Sequence, residues 1–139
     1  MTRGRAARTS ACDPHDAQIR LGHAQRFIEV ADLVFEGDEL GEYGNVAASL
    51  AVLAGIAASD ASCCAALGRR SRSQDHHDAV DLLAEVRPGG ADASQDLRRL
   101  LTLKDDAEYG VIHVGAGDQR AALRRARSLV GFAEKIVRL

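Results

Sequence analysis

The sequence predicts an all-α protein, a single-domain up-and-down bundle of four to five helices, and three observations carry that prediction. Apolar residues recur at helical spacing over five stretches, and no stretch alternates in the manner of a strand. The chain is 46% hydrophobic but only 4% aromatic and lacks Trp, so its core must be filled by Ala, Leu, Val and Ile, which suits closely packed helices. Its two prolines, Pro14 and Pro88, both lie outside the periodic stretches, where they would break a helix. A chain of 139 residues can bury one sizeable core but not two.

Residues 1–13 lack periodicity and carry Arg3, Arg5 and Arg8, so they read as a mobile arm ahead of a helical domain at 14–139. A first helix fits 15–36, with Ile19, Ala24, Phe27, Val30, Ala31, Val34 and Phe35 near one face and Gly37 as its C-terminal stop. A second, at 43–67, has the stripe Val46, Leu50, Leu53, Ala54, Ala57, Ala61 and Ala65. Small residues on its other faces let neighbours approach, so it is the expected central helix, ended by Gly68. Ser73 has the character of an N-cap for a third helix at 74–86, with Asp75 in its first turn and Ala79, Val80, Leu83 and Val86 inward. Asp92 or Ser94 caps a fourth that runs to 108 with Leu97, Leu100, Leu101 and Leu103. A glycine-bearing loop follows, with a short extended stretch at Val111–Val114. The fifth begins near Asp118 and buries Leu123, Ala126, Leu129, Val130, Ala133, Ile136 and Val137, leaving Arg120, Arg124, Arg127, Lys135 and Arg138 as a solvated basic face.

A net charge of −2 excludes the strongly basic class that binds nucleic acid through phosphates alone, so any such binding must come from a local patch. The expected setting is cytoplasmic and soluble: no run of about 18 apolar residues marks a membrane span, and the first residues lack the apolar centre of a secretory signal. Three cysteines, with Cys63 and Cys64 adjacent in an apolar stretch, are expected as free thiols rather than as a disulfide framework.

The most chemically dense stretch is RRSRSQDHHD at 69–78. A cation that holds a phosphate and a base of near-neutral pKa are what metal-independent RNA cleavage requires, and Arg and His supply both. On a continuous helix, residues five apart point about 140° away from each other. Arg72 and His77 therefore converge only if Arg72 lies in the preceding loop and folds back over the helix start. The bland alternative is a loop of exposed arginines, an acidic helix end and one inward histidine. No metal site is expected, because Asp75, His76, His77 and Asp78 point apart on a helix and Cys63 and Cys64 lack zinc-ligand spacing. No cofactor is implied: GAGD at 115–118 has neither the preceding strand nor the third glycine of a nucleotide fingerprint. Asp60, a charge midway along an apolar helix, belongs either on an exposed face or beside an Arg or His of the 69–77 segment, where it would orient His76 or His77. Tyr109 is expected to pack against the core with its hydroxyl wet.

Three stretches in this order, NVAASLAVLAGIAASDASCCAALG, RSRSQDHHDAVDLL and LRRLLTLKDDAEYG followed by a basic amphipathic helix, resemble actinobacterial members of the HEPN superfamily, the higher eukaryotes and prokaryotes nucleotide-binding domain. The likeness covers residues 15–139. It implies a HEPN-like helical bundle, commonly dimeric, in a superfamily with many metal-independent ribonucleases, frequently toxins of toxin-antitoxin pairs or defence proteins. Their motif is Arg, about four to six residues, then His; here Arg72 to His77 leaves four between, Arg70 to His76 five and Arg70 to His77 six. Carried over, Arg72 holds the phosphate and His77 is the base, with Arg70 and His76 as the alternative pair and Arg69 and Arg70 contacting RNA. The residue after Arg72 is Ser73 rather than the frequent Asn, and the motif precedes the third helix, where branches without nuclease motifs also carry a His. A second reading is therefore a non-catalytic HEPN-like module that binds a protein partner or a ligand.

Overall fold

The computed structural model describes residues 8–72 and 76–139, with the His76 side chain left aside. The described residues are predominantly helical, 76% of them, in a bundle of five helices with one very small sheet. In chain order these are β1 (Thr9–Ala11), α1 (Pro14–Glu36), α2 (Gly44–Leu67), β2 (Arg69–Ser71), α3 (His76–Ala84), α4 (Gly90–Glu108) and α5 (Ala116–Arg138).

α1 starts where its cap chemistry dictates. Asp13 accepts from the Asp16 backbone N–H at 2.8 Å while Asp16 accepts from the Asp13 N–H at 3.0 Å, a capping box built of two aspartates with Pro14 just inside. α2 ends at Gly68 in the left-handed conformation (φ 73°), which only glycine adopts without cost, and its N–H caps the Cys64 carbonyl. α2 is the central helix and packs on α1, α4 and α5. By length and composition it could cross a membrane, contrary to the expectation that no such stretch exists, and 61% of its most apolar window is buried inside the bundle. That burial accounts for its apolar character: alanines at 47, 48, 51, 54, 57, 58 and 61 are wholly enclosed. Gly55 lies at the closest approach, where a Cβ would meet Leu100 Cδ1 at 2.5 Å.

Several expectations are corrected. From residue 9 the arm takes part in the fold: β1 pairs antiparallel with β2 in the register Thr9↔Ser71, Ser10↔Arg70, Ala11↔Arg69, and Cys12 is disulfide-bonded to Cys64 rather than a free thiol. Strands of three residues are too short to show a period, and a pairing that spans two whole helices leaves no local signal. Only Cys63 remains a free, buried thiol among the described residues. Ile19, Val30, Val46 and Leu53 are partly exposed rather than inward. The buried face of α1 is Ala17, Ala24, Ile28 and Ala31 instead, small side chains that let neighbouring helices approach closely. α4 begins at Gly90, with Gly89 (φ 94°) as its cap, ahead of Asp92 and Ser94; Ser94 bonds the Ala91 carbonyl from within the helix. α5 starts two residues before Asp118. Val111–Val114 forms no strand; Asn45 holds it as a loop, donating to the Ile112 carbonyl (3.1 Å) and accepting from the Val114 N–H (2.9 Å). Tyr109 is 73% exposed, its ring beneath the Lys104 ammonium rather than on the core. α3 ends at Ala84, two residues before the expected 86, and its proposed cap residues Ser73 and Asp75 lie outside the described residues.

Candidate functional site: an arginine pocket on a buried aspartate

Asp60 is buried near the C-terminal end of α2, its side chain 12% exposed, and does not take the surface position ordinary for a carboxylate. Arg20, from the second turn of α1, reaches it with Nε at 3.1 Å and Nη2 at 3.0 Å; Arg70, from β2, adds a longer contact at 3.4 Å. Both guanidinium groups converge on the same oxygen, Oδ2. Arg20 is further oriented by donating from Nη1 to His23 Nδ1 at 3.0 Å. Burial raises the Asp60 pKa above the ordinary aspartate value, and the charges of Arg20 and Arg70 act against that rise. Two cations on one carboxylate leave the cluster with net positive charge.

A cavity of about 310 Å³ opens beside this cluster. Its polar wall carries Arg20, Asp60, Arg70 and Arg72, together with Ser59 and Ser71. Its apolar floor comes from Ile56, Ala79, Leu97 and Leu101, contributed by α2, α3 and α4. Arg72 is exposed and follows β2 directly, outside any helix, held by its N–H to the Arg8 carbonyl at 3.0 Å. A second cavity of similar volume lies against Ser10, Cys12 and Asp16 and shares Arg20 and Arg70 as walls. An anionic group entering the first cavity would find three guanidinium groups, the fork geometry that phosphate favours, over an apolar base.

Of the residues singled out in the sequence, Asp60, Arg70 and Arg72 come together here. Arg69 does not: it turns away to pair with Glu85 at 3.1 Å. His77 is exposed in the first turn of α3 and is not part of the pocket wall, and the residues linking it to Arg72 lie outside the described ones. Arg20 is the residue that sequence reasoning missed. It sits three residues after Ala17 and four before Ala24, on the apolar stripe of α1. A cation on one buried stripe and an anion on the next, Asp60, was a readable signal that the two helices carry a matched pair.

Compared with protein-family models and with curated proteins, the chain matches none.

Proposed function

We propose that this protein is a HEPN-like helical module that binds a phosphate group of RNA in the Arg20–Asp60–Arg70–Arg72 pocket. The observation that supports this reading is the cavity itself, lined by three arginines, two of them paired with one buried carboxylate, in a chain whose overall charge is negative. Positive charge is concentrated where a single phosphate fits, and the paired Asp60 holds two of the three cations in place rather than cancelling them. Binding of this kind is selective for a phosphate in the pocket and only modestly salt-dependent, unlike a broad basic face.

Cleavage is the second reading. Arg72 lies outside the helix, the condition under which it can approach His77, and both residues border the start of α3. In this reading Arg72, with Arg70 beside it, steadies the phosphate while His77 or His76 takes the 2′-hydroxyl proton. The protein then acts as a cytoplasmic homodimer in a toxin-antitoxin or defence setting, restrained by an antitoxin partner.

Titration of inorganic phosphate and of a short 5′-phosphorylated RNA into the full chain, followed by calorimetry, tests the first reading. Arg70→Gln and Arg72→Gln should each weaken binding about tenfold or more, the scale of one lost charge-assisted hydrogen bond. Unchanged affinity in both variants overturns it. RNA integrity in the same samples tests the second: cleavage that persists in a His76→Ala, His77→Ala double variant removes the histidines from any catalytic role.

A further inference from the structure

The pocket's cations all hang from one stapled segment. Cys64 lies on α2 one turn after Asp60, and its disulfide partner Cys12 terminates β1, where the Cys12 N–H donates to the Gly68 carbonyl at 2.9 Å. On one side of Cys12, β1 holds β2: Ser10 sits opposite Arg70, and Arg8 accepts from the Arg72 N–H. On the other side α1 begins at once with its Asp13 cap and carries Arg20 in its second turn. Two strands of three residues are marginal by themselves, so the position of Arg70 and Arg72 depends on what fastens β1.

The bond is also reachable. Cys64 is buried, but Cys12 is half-buried and lines the second cavity, about 310 Å³, with Arg20 and Arg70 on its walls. Cys63, next in sequence to Cys64, is a free thiol enclosed in the core, and burial pushes its pKa up to about 12, which disfavours the thiolate that exchange requires. The states that bear on the pocket are Cys12–Cys64 joined and both reduced.

We propose that Cys12 and Cys64 are a reversible redox pair that fixes the β1–β2 arm, and with it Arg70 and Arg72, when oxidised and releases it when reduced. A small dithiol is the reductant. Its thiolate attacks Cys12 Sγ, the S–S bond breaks, and Cys64 Sγ leaves as a thiolate that is protonated by the dithiol's second thiol. That second sulfur then attacks the mixed disulfide, the reagent closes as a cyclic disulfide, and Cys12 departs as a thiolate that takes a proton from water. Two electrons and two protons pass to the protein in all, and a disulfide oxidant reverses the step. In a reducing compartment a bond of this kind is transient and regulatory rather than permanent. Its effect on ligand affinity rests on the phosphate-binding reading above; its effect on the arm does not.

Hydrogen exchange of the full chain, oxidised and after treatment with a small dithiol, tests the inference. Peptides covering 8–12 and 69–72 should exchange about 100-fold faster after reduction while the cores of α2 and α5 keep their protection. Phosphate affinity should fall about tenfold in parallel. The Cys12→Ser, Cys64→Ser double variant should match the reduced state without reductant, and Cys63→Ser should still respond like the wild type. Identical exchange in both redox states overturns the inference, as does a non-reducing peptide map of air-oxidised protein in which Cys12 and Cys64 are not linked. Faster exchange on reduction with no phosphate binding in either state upholds the redox pair and overturns the phosphate reading.

Discussion

Asp60 and Arg20 lie on facing apolar stripes of α2 and α1, and each makes the other's burial tolerable. Removing the carboxylate leaves two guanidinium groups facing each other beside a half-enclosed cavity. Asp60→Ala should therefore lose about 1–3 kcal/mol, below the usual cost of breaking a deeply buried pair because both arginines reach solvent. Urea denaturation measures this directly, and Asp60→Asn should lose less. The pH dependence has a definite sign. Burial raises the Asp60 pKa in the folded state, so the group's contribution to stability is fully present below the ordinary aspartate value of 3.8 and is lost as pH rises through the higher folded value. The stability difference between the wild type and Asp60→Asn should thus shrink as pH climbs from acid toward neutral; a difference that grows would reverse the assignment. At this scale the sequence showed that Asp60 was singular and named the 69–77 segment as a place for its partner. It did not show Arg20, because each helix was read for its own face and the ion pair spans two.

The helices themselves were largely legible. α5 follows its apolar periodicity closely and glycine ends α2 as expected, but Val46, Leu53 and Ala65 of the expected α2 stripe are exposed. What failed was the choice of inward face on α1, where alanines rather than Ile19 and Val30 make the contact. Hydropathy ranks the larger residues first, but close helix packing selects the smaller ones. Gly55 carries the same principle to its limit, with Leu100 and Leu129 against its absent side chain. Gly55→Val should separate α2 from α4 and cost about 2 kcal/mol or more in urea unfolding, whereas helix propensity alone would favour the change. The start of α4 was missed by a turn for a comparable reason: left-handed Gly89 begins the helix without any side-chain oxygen, so a search for Asp or Ser passes it by.

Among the described residues the main alanine-rich core surrounds α2, and the disulfide joins the last turns of α2 to Cys12 across 52 residues of sequence. Closing a loop of that length removes chain entropy from the unfolded state worth about 4 kcal/mol in the simplest model. The Cys12→Ser, Cys64→Ser protein should accordingly melt roughly 10 °C or more below the oxidised wild type by calorimetry, while Cys63→Ser should shift far less. Cysteine count and spacing suggested free thiols because three is an odd number and Cys63 and Cys64 are adjacent in an apolar stretch. The helical bundle of four to five helices and its small-residue core were determined by the sequence alone, since periodicity and caps act within a few residues. The β1–β2 pairing, the choice of Cys64 over Cys63, and the meeting of Arg20, Asp60, Arg70 and Arg72 around one cavity were decided only by the tertiary structure, since each depends on which faces of separate elements come into contact.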